Sequence, residues 1–144
     1  MRLSITFFLL GSLLGCSPST PAPVAQTVSR LQQVNYILAI YQKQKPEALS
    51  FLTSGTNGAK EDLLGQFLMR EETNIQSMKF DDFRKLAVDG WGHPFNVASR
   101  GYVAGHDPVP ALLQVQGDIL VWSSGPDGTN QFGRGDDVVC PLTK

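Results

Sequence analysis

The sequence has few cysteines, no excess of either charge and no apolar run long enough to cross a bilayer. Two cysteines in 144 residues cannot build a disulfide-dense scaffold. Because 12 Lys and Arg stand against 13 Asp and Glu, the chain lacks the basic excess of a nucleic-acid-binding surface, and no nucleic-acid partner is expected. With 42% apolar and 17% charged residues, the chain is too apolar for a wholly disordered protein. These counts favour one small globular domain with an unusual segment in front of it.

The first residues form a short apolar segment. Arg2 is the only charged residue before Arg30, and an apolar run follows it over residues 3–14. As a helix, this run rises about 18 Å, which is short of the roughly 30 Å hydrocarbon core of a bilayer. A basic start, a short apolar stretch and small residues before a cleavage point are typical of a signal peptide. The segment is therefore predicted to target the chain for export.

The segment ends in Leu-Leu-Gly-Cys at residues 13–16, which resembles a bacterial lipobox with Cys16 as the lipidated residue. The resemblance implies that residues 1–15 are removed and that acyl chains such as palmitate attach the protein to a membrane. Ser17 after the cysteine implies the periplasmic face of the outer membrane if the cell is Gram-negative. Two or three acyl chains suffice for attachment, since each buried CH₂ contributes about 0.8 kcal/mol. The alternative is an ordinary secretory signal with an incidental cysteine.

Residues 16–26 carry three prolines and no charge, so they are predicted to form a semi-extended tether after the lipidated cysteine. The globular domain is predicted over residues 27–144. Acylation of Cys16 leaves Cys140 without a partner in the chain. Cys140 is then a free thiol, an intermolecular partner or, since it follows two valines, a small buried hydrophobe, which is the interpretation we favour.

Hydrophobic spacing in the domain predicts helices first and strands afterwards. Apolar residues recur every three or four positions from Thr27 to Lys45, with Thr27 as the cap and Pro46 ending the helix. Shorter helices are predicted from Pro46 to a closure at Ser54-Gly55, over residues 59–72, and around residues 80–86 with Asp81 as cap. Strands are predicted over residues 95–97, 111–115 and 119–122. The fold class is therefore α+β: a long N-terminal helix and short helices packed on a small antiparallel sheet of about three strands.

Glycine and aspartate are concentrated in a loop that follows the predicted strands. Residues 123–138 hold four glycines and three carboxylates, those of Asp127, Asp136 and Asp137. Oxygen-only ligands on a glycine-rich loop suit Ca²⁺, and glycine permits the positive-φ turns that point carbonyls inward. The loop is not an EF-hand, because Thr129 and Gln131 replace the ligands expected at positions 3 and 5. An ordinary flexible acidic loop is the alternative.

Motifs in the second half of the chain resemble the C-terminal domain of the type II secretion major pseudopilin. The motifs are Trp91-Gly92-His93-Pro94-Phe95, Ser124-Gly125-Pro126-Asp127-Gly128 and Gly135-Asp136-Asp137-Val138. The resemblance covers about residues 27–139 and is strongest over 89–95 and 122–138. It implies a long helix packed on a small antiparallel sheet, with a C-terminal loop that holds Ca²⁺. The lipobox and proline-rich tether stand where a pseudopilin has its prepilin cleavage site and apolar helix, which favours a lipid-anchored domain that reuses the pseudopilin head.

The resemblance also implies roles for single residues. The side chains of Asp127, Asp136 and Asp137 would supply oxygen ligands, with carbonyls of residues 122–125 completing the shell. Which of Asp136 and Asp137 is the ligand is left open. Trp91 would pack under the sheet, while Gly92 and Pro94 would set the turn.

Together these patterns predict a non-catalytic envelope lipoprotein with a calcium-stabilised, pseudopilin-like domain and a structural or adaptor role linked to type II secretion or a pilus-type system. The alternative is a ligand- or partner-binding lipoprotein unrelated to secretion, which would use an exposed strand edge or residues 100–110. An enzyme is not expected. Ser123-Ser124-Gly125 lacks the Gly-x-Ser-x-Gly elbow of serine hydrolases, and His93 and His106 lack the spacing of zinc ligands.

Overall fold

A computed structural model describes residues 21–53, 62–76 and 83–140, and every structural statement below concerns these residues. The α-helices and strands that begin before residue 100 are α1 (Ala22–Gln44), α2 (Ser50–Thr53), α3 (Leu63–Arg70), α4 (Glu72–Gln76) and β1 (Asn96–Ser99). The others are α5 (Arg100–Ala104), α6 (Pro110–Leu113), β2 (Ile119–Trp122) and two 3₁₀ helices, Pro46–Leu49 and Phe83–Ala87. The mixture of helices with an antiparallel strand pair confirms the α+β class.

Several predicted features lie outside the described residues. They are the signal peptide, Cys16 with the first part of the tether, the helix closure at Ser54-Gly55, residues 59–61 of a predicted helix, and the Asp81 cap. None of the helices within the described ranges is both long and apolar enough to span a membrane.

Helix α1 begins five residues earlier than predicted. Pro23 lies in its first turn, where a missing backbone N–H is tolerated because first-turn N–H groups have no partner within the helix. Residues 22–26, predicted as tether, are therefore helical. Thr27 is buried and does not cap the helix, since its hydroxyl donates to the carbonyl of Pro23 at 2.8 Å. The helix ends at Gln44, just before Lys45 and Pro46, as expected from proline's restriction on the preceding residue.

One face of α1 enters the main hydrophobic core. That face consists of Leu31, Val34, Ile37, Leu38 and Tyr41. The ring of Tyr41 meets that of Phe67 edge-on, with 5.2 Å between centroids, and its hydroxyl donates to Glu71 at 2.9 Å. Burial and the neighbouring carboxylate raise the pKa of Tyr41 to about 12. The long helix is thus joined to the α3–α4 segment by both apolar and polar contacts.

The sheet has two strands in the described part of the chain rather than about three. β1 and β2 pair antiparallel, with Asn96 opposite Trp122 and Ser99 opposite Ile119. The predicted strand over residues 111–115 is wrong, because Pro110 occupies the first turn of helix α6 there. Proline presets a helical φ and lacks the N–H that a strand ladder needs, so it outweighs the short apolar run.

Strand β2 separates two apolar clusters. Ile119 and Val121 belong to the main core, while Leu120 and Trp122 belong to a second cluster. This division follows from the alternation of side chains along a strand. The second cluster is completed by Val103, Leu112 and Val115, which come from the connection between the strands and its two short helices.

Arg100 holds that connection together. Its guanidinium donates to the backbone carbonyls of Leu113, Val115 and Gly117. Carbonyls at a helix C-terminus have no partner within the helix, and a cation satisfies them well. Arg100 and Gly101 begin helix α5, and the side chain of Ser99 caps that helix by accepting the N–H of Tyr102 at 3.3 Å.

Candidate functional site

The Asp89 turn (residues 89–94) is organised around a buried carboxylate. Asp89 is 1% exposed. One of its oxygens accepts the backbone N–H groups of Trp91 and His93, each at 2.9 Å, and the other accepts the Ser123 hydroxyl at 2.6 Å. Gly92 has φ +90°, a conformation that side chains rarely adopt. Both carboxylate oxygens are hydrogen-bonded, so the turn and Ser123 together satisfy this buried side chain.

The Asp89 turn rests on the first turns of α1. Arg30 donates to the carbonyls of Val88 at 3.0 Å and Asp89 at 2.6 Å, and the Gly90 N–H donates to the hydroxyl of Thr27 at 2.8 Å. Gly90 lies so close that a Cβ there would stand 2.1 Å from the carbonyl oxygen of Pro23. The turn therefore fixes the start of the long helix.

Two of the predicted turn residues form the turn, and the third is placed differently. Pro94 pairs with Val88 in an isolated antiparallel bridge, and Gly92 supplies the positive φ. Trp91 does not pack under the sheet: it is half-buried and belongs to neither of the two apolar clusters of the described residues. The tryptophan that is buried there is Trp122, 1% exposed on β2, because strand residues between two clusters are covered on both faces.

The acidic loop (residues 125–138) brings the three predicted ligands into one segment. Asp136 accepts the backbone N–H of Asp127 at 3.2 Å, and Asp127 accepts that of Thr129 at 2.7 Å. One oxygen of Asp137, Oδ2, accepts the N–H groups of Gln131 at 2.9 Å and Gly133 at 2.8 Å. Each of the three carboxylates thus holds a turn of the loop.

The second oxygen of Asp137 is the exception. Oδ1 of Asp137 is buried, and no hydrogen-bond partner for it occurs among the described residues. Burial raises the pKa of Asp137, and the negative charges of Asp136 and Asp127 raise it further, against the N–H bonds from Gly133 and Gln131. A buried carboxylate oxygen without a partner, next to two more carboxylates, is an environment that a cation would stabilise.

The donor set fits calcium in chemistry but is not gathered into a finished coordination group. Side-chain oxygens on a glycine-rich loop are the ligands that Ca²⁺ prefers. Within the described ranges, no cluster of three or more His, Cys, Asp or Glu side chains has the arrangement of a metal site. Several of the loop's carboxylate oxygens are instead engaged with backbone N–H groups. Oδ1 of Asp137 has no such donor among the described residues.

The acidic loop and the Asp89 turn are joined through Ser123 and Gly125. The hydroxyl of Ser123 donates to Asp89 and accepts the N–H of Gly125 at 2.9 Å. Nδ1 of His93 lies 3.0 Å from the carbonyl oxygen of Gly125. Gly125 has φ +64°, and a Cβ on it would stand 2.2 Å from the carbonyl oxygen of Asp136. Glycine is therefore required where the two segments meet.

Asp89, His93 and Ser123 lie together but not in the order of a catalytic triad. A serine nucleophile needs a hydrogen bond to the imidazole and access to substrate. Ser123 is fully buried, and its hydroxyl donates to the carboxylate of Asp89. His93 is 3.7 Å from Asp89 and directs Nδ1 toward the carbonyl of Gly125. This geometry cross-links two segments of the fold and offers no activated hydroxyl.

The acidic loop also packs on the second apolar cluster. Phe132 has φ +55°, unusual for an aromatic residue, and the backbone N–H groups on either side of it are the two bound by Asp137. Its ring stacks on His106, with 4.8 Å between centroids and 16° between planes. Nε1 of Trp122 donates to Asn130 of the loop at 2.9 Å. The conformation of the loop is thus coupled to a buried tryptophan.

The sequence indicates the aspartates of the acidic loop but not the contact between Asp89 and Ser123. An Asp two residues before Trp91 and four before His93 matches a side chain that folds back on its own turn, so part of this role was visible in the sequence. The pairing of Asp89 with Ser123 spans 34 positions, and no local pattern indicates it.

Cys140 is buried in the main core, as its position after two valines predicts. Burial raises the pKa of its thiol. Its backbone carbonyl accepts a hydrogen bond from Asn35 of α1 at 3.2 Å, which ties the end of the described chain to the long helix.

Comparisons of this chain with protein-family models, with curated proteins and with solved structures found no match. The pseudopilin resemblance therefore depends on the quoted motifs alone, chiefly those over residues 89–95 and 122–138.

Proposed function

We propose that this chain is a non-catalytic, lipid-anchored envelope protein whose α+β domain is stabilised by one calcium ion in the acidic loop. The observation that carries the proposal is Oδ1 of Asp137, buried and without a hydrogen-bond partner among the described residues. Asp127 and Asp136 are near enough to raise the pKa of Asp137. The role that follows is structural: a rigid domain held at a membrane surface as an adaptor for other envelope proteins.

Calcium suits this loop for an electrostatic reason. An unpaired buried polar atom costs about 1–3 kcal/mol, and more when it is charged. Oδ1 of Asp137 would bind the ion, with side-chain oxygens of Asp127 and Asp136 and backbone carbonyls supplying the rest. The ion's charge would offset the mutual repulsion of the three carboxylates. Its binding free energy would then add to the stability of the folded domain.

The anchor and the choice of partner are proposed from sequence motifs. The lipobox at residues 13–16 supports acylation at Cys16, which would place the domain on the periplasmic face of the outer membrane in a Gram-negative cell. The pseudopilin-like motifs support a link with a type II secretion or pilus-type system. This link is an analogy of fold and motif, so the partner has to be identified by experiment.

Thermal unfolding of the mature, acylated protein in detergent tests the calcium site. Relative to protein in EGTA, millimolar CaCl₂ is expected to raise Tm by about 5–10 °C, since ligand at a hundred times Kd adds about 2.7 kcal/mol. Asp137→Asn is expected to abolish this rise, whereas Glu47→Gln, an exposed carboxylate on the first 3₁₀ helix, keeps it. An identical wild-type Tm in EGTA and in calcium contradicts the proposal.

Labelling with a palmitate analogue tests the anchor, and the label is expected on the wild type and absent from Cys16→Ser. Affinity purification from solubilised membranes then tests the partner. Recovery of secretin or inner-membrane platform components is expected for the adaptor role. Their absence, with the label intact, favours a binding lipoprotein unrelated to secretion.

A further inference from the structure

A partly open cavity of about 140 Å³ lies between the second half of α1 and the turn that precedes β2. Its apolar wall is formed by Leu38, Leu49 and Ile119. The cavity is far along α1 from the Asp89 turn and contains no residue of the acidic loop. It is therefore separate from the calcium site proposed above.

A buried amide lines this cavity. Asn35 is 4% exposed, and its Nδ2 donates to the carbonyl of Cys140 at 3.2 Å. This hydrogen bond holds the amide in place in the cavity wall.

Two opposite charges line the same cavity without pairing with each other. Lys43 and Asp118 are both part of its lining, and no ion pair joins them in the described structure. The Asp118 carboxylate accepts a hydrogen bond from the amide of Gln42 at 3.5 Å. Both side chains are exposed, so a ligand with its own separated charges could place a carboxylate toward Lys43 and an ammonium toward Asp118.

The size of the cavity limits the ligand. An enclosed cavity of about 150 Å³ in another protein holds benzene. A pocket of similar volume with an open mouth therefore suits a ligand of roughly six to eight heavy atoms. Amino acids from alanine to valine fall in this range. We propose that the cavity binds a free aliphatic amino acid, with its side chain against Leu38, Leu49 and Ile119. The protein would then have a second, ligand-binding function beside its structural role.

Titration of the mature protein with L-valine, followed by backbone amide chemical shifts, tests this inference. Saturable shifts are expected at residues 116–119 and along the second half of α1. Isobutylamine, which lacks the carboxylate, and isobutyrate, which lacks the ammonium, are each expected to bind at least about threefold more weakly. Either analogue binding as tightly as L-valine contradicts the zwitterion, and no shift at about 20 mM L-valine overturns the site.

Variants distinguish binding of L-valine in the cavity from a general effect of the protein's charge. Lys43→Gln is expected to weaken L-valine about threefold, whereas Lys45→Gln, an exposed lysine outside the lining, leaves binding unchanged. Ala39→Leu is expected to abolish binding, because Ala39 is exposed in the cavity wall and a larger side chain fills the space without disturbing the core. Equal effects of the two lysine changes, or undiminished binding to Ala39→Leu, would contradict the assignment. Binding is expected to be the same in EGTA and in calcium.

Discussion

The Asp89 turn and the acidic loop are each held by an aspartate side chain, and they differ in how fully that side chain is hydrogen-bonded. In both, an aspartate accepts two backbone N–H groups and so fixes the conformation of the residues around it. The second oxygen of Asp89 is bound by the hydroxyl of Ser123. The second oxygen of Asp137 is buried and has no partner among the described residues.

This difference separates a carboxylate that the fold satisfies from one with an oxygen that no described residue binds. The chain itself satisfies Asp89, so the turn needs nothing added to keep its conformation. Asp137 has like charges near it and an oxygen without a partner among the described residues, which is the basis of the calcium site proposed above. The motif resemblance singled out both segments, but only the contacts show which carboxylate is satisfied.

The largest expected effect is on the Asp89 turn. Asp89→Ala removes the acceptor of two N–H groups and of the Ser123 hydroxyl, leaving buried donors unpaired, so the free energy of unfolding should fall by about 3–5 kcal/mol. Urea unfolding in EGTA measures this loss. Asp89→Asn keeps one acceptor oxygen and should lose less. A loss below about 1 kcal/mol for Asp89→Ala would show that the turn does not depend on its carboxylate.

A smaller effect is expected from the protonation of Asp137 in the acidic loop, which makes the free energy of unfolding depend on pH. The pKa of Asp137 is raised above its ordinary value of 3.8, so without calcium the folded state takes up this proton more readily than the unfolded state. The contribution of Asp137 to the free energy of unfolding should therefore rise as pH falls from neutral through the raised pKa, and level off below 3.8. Urea unfolding in EGTA across this pH range measures it.

The difference between wild type and Asp137→Asn isolates this group from the other carboxylates. The variant is expected to lose the stabilisation on acidification that Asp137 contributes, and Glu47→Gln is expected to keep it. If the free energy of unfolding depended on pH in the same way for wild type and Asp137→Asn, burial would not raise the pKa of Asp137 in the folded state.

The smallest expected effect lies at the surface of the same loop. Arg134 donates to the carboxylate of Asp107, which is 90% exposed, in a salt bridge open to solvent. Arg134→Gln should change the free energy of unfolding by at most about 0.5 kcal/mol and leave the calcium-dependent rise in Tm unaltered. A fall of more than about 1.5 kcal/mol in the free energy of unfolding would show that the stability of the loop depends on this surface contact and not on Asp137.

Local patterns predicted most of α1 and the position of β2. The three-and-four spacing of apolar residues depends only on helix geometry, and the apolar run over residues 119–122 suits a strand that is covered on both sides. The same patterns failed where proline acts at a helix start. Pro23 extends α1 into the predicted tether, and Pro110 turns a predicted strand into α6, because a proline in the first helical turn initiates a helix that hydrophobic spacing does not reveal.

Residues near one another in the chain specify the amphipathic long helix, the glycine-rich turns and the presence of three aspartates in one loop. Three features become visible only in the folded chain: Trp122 rather than Trp91 is buried, Ser123 satisfies Asp89, and one oxygen of Asp137 is enclosed without a partner among the described residues. Burial and hydrogen-bond satisfaction depend on atoms brought together from distant positions. A carboxylate's charge is visible in the sequence, but its solvation is decided by the fold.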